Sequence, residues 1–166
     1  FREADGVIFL TKYARDNVTK VTGAQRGKNA IIPHGINPRF LLPPRRQRLP
    51  IDFDESQPCR ILYVSSVDVY KHQSHVAEAV AQLRSAGIPV VLELVGPPAA
   101  GMYRLQKTLN RVDPERTFVT YRGQVPYEKL HKFYANADIG VFASSCENLP
   151  NILLEGMAAG LPMACS

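Results

Sequence analysis

Apolar residues in this chain fall into short runs, separated by longer stretches where apolar and polar positions mix at helical spacing. The runs are rich in Val and Ile and predict strands near Val7–Leu10, Ala30–Ile32, Ile61–Val64, Val90–Val95, Phe118–Arg122, Ile139–Ala143 and Leu161–Ala164. The intervening stretches predict helices over Tyr13–Val21 behind a Thr11 cap, His72–Ala86, Met102–Val112, Pro126–Ala137 and Pro150–Ala159. Gly87 and Pro89 punctuate the end of the second helix, and Pro114 that of the third. Strands alternating with helices are the sequence form of βαβ units, so the expected class is α/β with a parallel sheet flanked by helices.

Residues 38–58 break this rhythm with five prolines and four arginines and no apolar periodicity. The expected organisation is therefore a first part over 1–42, a linker over 43–58 and a second domain over 59–166. Two strand candidates cannot bury a core of their own, so 1–42 is expected to be the tail of a larger domain. The chain starts without Met and stops at a candidate strand, which leads us to expect a piece of a longer protein whose second domain is truncated at its end.

With 166 residues, 45% apolar and 21% charged, the composition is that of an ordered domain with a real core. No apolar run approaches the roughly 20 residues of a membrane span, and no signal-peptide pattern opens the chain, so a soluble cytoplasmic protein is expected. Cys59, Cys146 and Cys165 are odd in number without a C-x-x-C pair, which argues for reduced thiols over a disulfide framework or zinc ribbon. The net charge of +5 favours anionic partners without choosing among nucleotides, phospholipid surfaces and nucleic acid. Arg45-Arg46-Gln47-Arg48, beside Pro43-Pro44, reads as a solvated loop. No basic groove interleaved with aromatics is evident, so nucleic acid is not expected.

Two segments carry candidate chemistry. In Glu147-Asn148-Leu149-Pro150-Asn151-Ile152-Leu153-Leu154-Glu155, two carboxylates lie eight positions apart across a helix start that Pro150 can open. Glu147 then sits in the loop and Glu155 about five residues inside the helix, with free N–H groups and the positive dipole end between them. The bland alternatives are a helix-dipole charge for Glu147 and an exposed helix residue for Glu155. The second segment runs from the Ile61–Val64 strand through Ser65-Ser66-Val67-Asp68 to Lys71 at a helix start, where phosphate ligands bind in doubly wound sheets. Its bland alternative is a solvated lysine. Cys146 lacks a nearby histidine to activate it, and Asp52-Phe53-Asp54 lies in the proline-rich stretch. His72 and His75 form an i, i+3 pair read as facing solvent or capping a helix, and no metal or cofactor is expected.

Six ordered landmarks cover nearly the whole chain: Ile31-Ile32-Pro33-His34-Gly35-Ile36-Asn37, Ser65 to Lys71, Leu94-Val95-Gly96, Arg122-Gly123-Gln124-Val125-Pro126, Ala137-Asp138-Ile139-Gly140-Val141-Phe142, and the paired-glutamate run. Together they resemble the retaining GT-B glycosyltransferases of the large group 1 family, which includes sucrose synthases and many bacterial mannosyl- and glucosyltransferases. The resemblance implies a Rossmann-like domain with helices on both faces that binds a nucleotide-sugar donor, and an acceptor-side domain ahead of it. By position, Lys71 matches the lysine on the donor diphosphate and Glu155 the glutamate on the ribose hydroxyls. Glu147 matches the glutamate near the donor sugar, and Asn148, Leu149, Pro150 and Asn151 the turn contacting sugar or phosphate. Gln124 and Val125 match the stretch facing the base, and Gly96 and Ser65-Ser66 fall in donor-side landmarks.

Ser65-Ser66 stands where the family usually has Gly-Arg, so one of two phosphate cations is missing. Asn148-Leu149-Pro150 replaces a turn that usually carries a glycine and an aromatic residue. The implied function is transfer of a hexosyl group from a nucleoside diphosphate sugar to an acceptor hydroxyl, with retention, in polysaccharide or glycoconjugate synthesis. The partners implied are the nucleotide sugar, a sugar or glycolipid acceptor, and the inner face of the membrane as a peripheral contact. The 166 residues alone are expected to be inactive. The alternatives are a non-catalytic nucleotide-sugar-binding module and a GT-B epimerase acting on a nucleotide sugar.

Overall fold

The computed structural model describes residues 3–23, 27–44 and 46–166. By internal packing the chain divides into two units, one of residues up to Ile36 with Glu147–Asn151, the other of Asn37–Cys146 with Ile152–Ser166.

In the smaller unit, β1 (Gly6–Phe9) leads through α1 (Lys12–Thr22) to β2 (Lys28–Ile31), which pairs with β1 in parallel. The Thr11 hydroxyl caps α1 by accepting the Ala14 N–H at 3.0 Å, as its position before the helix predicts. β2 starts two residues ahead of expectation because Lys28 and Asn29 are polar. The whole strand is exposed, so hydrophobicity does not mark it.

The larger unit carries β3 (Cys59–Val64), α2 (Gln73–Ser85), β4 (Val90–Val95), α3 (Met102–Val112), β5 (Val119–Tyr121), α4 (Tyr127–Asn136), β6 (Ile139–Phe142), α5 (Asn151–Ala158, its first residue grouped with the smaller unit) and β7 (Met163–Cys165). The sheet order is β5-β4-β3-β6-β7, with every pair parallel. Right-handed crossovers put α2 and α3 on one face as the chain steps outward from β3 to β5. The return from β5 to β6 and on to β7 puts α4 and α5 on the other. The expected parallel sheet with helices on both faces is therefore present.

The main core lies under α2 and α3. Ile61, Tyr63, Leu92, Leu94 and Val119 of the sheet meet Val76, Ala77, Val80, Leu105 and Leu109 of the helices. The unbroken apolar run Ile61–Val64 of β3, the middle strand of the sheet, follows from burial on both of its faces. β7 starts at Met163, later than expected, because Gly160 at φ +71° turns the chain out of α5 and the Leu161 N–H still closes on the Gly156 carbonyl.

Residues 37–58 pack within the larger unit. Phe40 is fully buried, and Phe53 packs against the main core. Arg48 lies 4.3 Å over the Phe53 ring and donates to the carbonyls of Asp52 at 2.7 Å and Gln57 at 3.1 Å, so it clamps this stretch rather than serving a solvated loop. Arg45 lies outside the described residues. Asp52 accepts the Leu49 N–H and Asp54 those of Ser56 and Gln57, which commits both carboxylates to turns.

Candidate functional site

β3 and β6 are neighbours, yet the chain leaves β3 toward β4 on one side and β6 toward β7 on the other. Their following loops part to opposite faces and open a crevice at the strands' carboxyl ends, where open α/β sheets bind ligands. Beyond β3 the chain runs through Ser65–Asp68 into a one-turn 3-10 helix, Val69–Lys71, capped by the Asp68 carboxylate on the Val69 N–H at 2.7 Å. His72, at φ 54°, redirects the chain into α2. From the β6 side, the Ser145 N–H donates to the Tyr70 carbonyl at 3.0 Å and its hydroxyl lies 3.0 Å from His72 Nε2. The two loops are thus tied together. His72 does occupy the N-cap position, but its ring makes no capping bond.

Lys71 is only 6% exposed, which rules out the solvated-lysine alternative. Its Nζ lies 5.1 Å from the Tyr70 ring centre and 5.3 Å from that of Phe142, cation–π geometry worth about 0.5–2 kcal/mol.

Ser65 is buried, and its hydroxyl has no hydrogen-bond partner among the described residues. The Ser66 carbonyl accepts the Gln73 side-chain amide at 2.7 Å. Gly96 closes the floor: at φ +147° it lies so near β3 that a Cβ would meet the Ser65 carbonyl oxygen at 2.0 Å. Its N–H donates to the Gly123 carbonyl at 2.8 Å, and its carbonyl accepts the Tyr121 hydroxyl at 2.9 Å. The ends of β3, β4 and β5 therefore converge, and Gln124 (exposed) and Val125 (half-buried) follow in the loop before α4. Ser65, Ser66, Lys71, Gly96, Gln124 and Val125 all fall at the carboxyl end of one sheet.

Glu155, the fifth residue of α5, is 3% exposed and so is not a surface helix residue. Its two oxygens accept the hydroxyls of Tyr127 at 2.9 Å and Tyr134 at 3.3 Å. Burial raises its pKa, and the two hydroxyls offset part of that rise. Phe40 walls this cluster, 5.4 Å from the Tyr127 ring centre and 5.6 Å from that of Tyr134. Sequence reading did not single out Tyr127 and Tyr134. Their i, i+7 spacing on one face of α4 was the available signal.

Glu147, Asn148, Leu149, Pro150 and Asn151 belong to the smaller unit. Glu147 is exposed, Asn148 Oδ1 accepts the Thr11 hydroxyl at 2.6 Å, and Pro150 directly precedes the first turn of α5.

Residues 58–166, well over half of the chain, match the sequence family described as Glycosyl transferases group 1. The chain belongs to that family. No curated protein matches this chain significantly in sequence. Among solved structures it resembles sucrose-phosphate synthase from Thermosynechococcus elongatus at 24% identity and TM-score 0.75, covering 99% of this chain and 41% of that one. It also resembles HepE from Anabaena in complex with UDP-glucose, at 19% identity and TM-score 0.75, over 98% and 44% of the two chains. A third likeness is to TarM from S. aureus in complex with Fondaparinux, alpha-GlcNAc-glycerol and UDP, at 16% identity and TM-score 0.77, over 98% and 30%. The chain thus spans less than half the length of each of these three, and the likenesses establish its GT-B Rossmann-like fold.

All three cysteines of the chain are free, with Cys59 buried and Cys146 and Cys165 exposed. No cluster of three or more His, Cys, Asp or Glu among its described residues could hold a metal ion. No described helix is long and apolar enough to cross a membrane.

Proposed function

We propose that this chain is the donor-binding part of a glycosyltransferase that moves a hexosyl group from a nucleoside diphosphate sugar to an acceptor hydroxyl, with retention. The family match supports transfer chemistry, and the observation that carries the site is the buried Lys71 at the β3/β6 crevice. The bond from the anomeric carbon to the diphosphate oxygen breaks, a bond to the acceptor oxygen forms, and the hydroxyl proton passes to the departing diphosphate. Negative charge grows on the departing diphosphate. In this reading Lys71 and the amides at the start of α5 stabilise it, the kind of preorganised electrostatics that contributes most to catalysis.

In this reading Ser65 supplies its unpartnered hydroxyl to the donor diphosphate, where the family usually places a glycine, and Ser66 offers a neutral hydroxyl where an arginine is usual. Gln124 and Val125 present backbone to the base, and the Asn148–Asn151 turn contacts sugar or phosphate. Glu147 orients the sugar or stabilises positive charge at its anomeric carbon without acting as a covalent nucleophile. Glu155 serves the ribose, held in place by Tyr127 and Tyr134. The neighbouring structures with UDP and UDP-glucose make a uridine donor the first to test, and synthesis of a polysaccharide or glycoconjugate at the cytoplasmic membrane face is the proposed setting.

Glu147→Gln in the complete protein tests the transferase reading. Acceptor-dependent turnover should fall at least about a hundredfold, which is roughly 2.7 kcal/mol of lost transition-state stabilisation, while UDP binding stays within a few fold. Unchanged turnover would remove Glu147 from the mechanism. Product formed without any acceptor would indicate an epimerase instead.

A further inference from the structure

The Lys71 ammonium stands on a flexible four-carbon stem, so its position depends on how the surrounding chain is held. The β3–β6 ladder ends at the Leu62–Gly140 pair, and beyond it Ser145 rejoins the two loops. The Ser145 N–H donates to the Tyr70 carbonyl at 3.0 Å, and its hydroxyl lies 3.4 Å from the same carbonyl and 3.0 Å from His72 Nε2. One serine thus grips the residues on both sides of Lys71. Lys71 itself is anchored to the central strand, its carbonyl accepting the buried Tyr63 hydroxyl at 2.6 Å, while its N–H donates to the Asp68 carbonyl at 3.2 Å. The rings nearest its ammonium are those of Tyr70, held by Ser145, and of Phe142, at the end of the strand that leads to Ser145. His72 occupies left-handed backbone at φ 54° and ψ 28°, and its Nδ1 is buried with no partner among the described residues. A glycine there would relieve both burdens but would lose the bond to Ser145.

We infer that Ser145 and His72 are positioning residues that preset the Lys71 ammonium for the donor diphosphate. The inference rests on the donor role proposed for Lys71. With the Tyr70 carbonyl alone held, the chain could pivot about that bond and carry Lys71 with it. A second bond, on the far side of Lys71, removes the pivot. A cation fixed in advance need not be ordered when the diphosphate arrives, so more of its attraction appears as affinity. Displacing such a group by about 1 Å forfeits much of that gain. Ser66 brings no charge to the diphosphate, which makes the placement of Lys71 weigh more.

The test is calorimetric titration of the complete protein with UDP. Ser145 is exposed, and Ser145→Ala keeps its backbone bond to Tyr70 while removing the hydroxyl that meets His72. UDP affinity should fall about three- to tenfold, and Ser145→Thr, which keeps the hydroxyl, should stay within about twofold of the parent. His72→Asn retains a residue type at home in left-handed backbone but too short to reach Ser145. It should cost as much as Ser145→Ala, and the two together no more than either alone. Lys71→Met keeps most of the buried stem and removes the charge. In that background Ser145→Ala should change UDP affinity by less than about twofold, because the ammonium that Ser145 positions is gone. An undiminished loss in the Lys71→Met background would show general loosening of the loops and overturn the inference, as would parent-like UDP affinity in Ser145→Ala. If Lys71→Met itself leaves UDP affinity unchanged, the donor reading of the crevice fails and the inference falls with it, an outcome distinct from the other two.

Discussion

Burial raises the affinity of the Glu155 carboxyl for its proton, and the hydroxyls of Tyr127 and Tyr134 pull in the other direction without cancelling that rise. Its folded pKa therefore stands above the unfolded one, and between the two values the native state holds more protons. The stability Glu155 contributes is complete below the unfolded pKa and is lost as pH rises through the folded one. Glu155→Gln should accordingly melt at or above the parent near pH 7, with an advantage that shrinks toward about pH 4, where the carboxyl is protonated in both states. Melting scans across that range check this, and a variant less stable at pH 7 than at pH 4 relative to the parent would contradict it. Asp113 behaves oppositely. Burial pushes its pKa up, but the N–H groups of Phe118, Thr117 and Val119 and the Thr117 hydroxyl outweigh that and leave it lowered. Its contribution is present above the unfolded pKa and lost as pH falls through the folded one. Asp113→Ala should cost about 2–4 kcal/mol in urea denaturation near pH 7, a deficit that narrows in acid as both states protonate. Gly96→Ala should cost more than about 3 kcal/mol, since the new Cβ would collide with the Ser65 carbonyl at a backbone angle that side chains rarely adopt. A denaturation midpoint within error of the parent would show that this junction can give way.

At the level of elements, the Thr11 hydroxyl fixes locally where α1 begins. Thr11→Ala should destabilise the smaller unit by about 1 kcal/mol through loss of the α1 cap, readable as faster hydrogen exchange in the first turn of α1. Periodicity and punctuation made most elements legible in the sequence: β4 and α3 start and end where their apolar runs and flanking Gly and Pro residues place them. What stayed hidden depends on contacts between segments distant in sequence. The polar start of β2 carries no apolar signal, because hydrogen bonding to β1 alone defines it. Nor does the sequence of 43–58 show that Arg48 clamps two carbonyls and an aromatic ring, so a proline-rich stretch read as a linker instead packs within the larger unit.

For the molecule as a whole, strand order sets the position of the crevice, because the chain departs from β3 and β6 in opposite directions. Lys71 and Glu155 could be chosen from sequence by their places at strand-to-helix junctions. Their burial could not be, since it depends on Phe142 and on the tyrosines of α4, brought near only by the fold. The measurement that bears most directly on the account is calorimetric titration of the complete protein with UDP, GDP and ADP, repeated on Lys71→Ala after confirming its fold. The account predicts selective binding of one nucleotide, weakened at least about tenfold by the substitution, or 1.4 kcal/mol or more. Binding that Lys71→Ala leaves unchanged, or a folded protein that binds none of the three, would contradict the assignment of this crevice to a nucleotide-sugar donor.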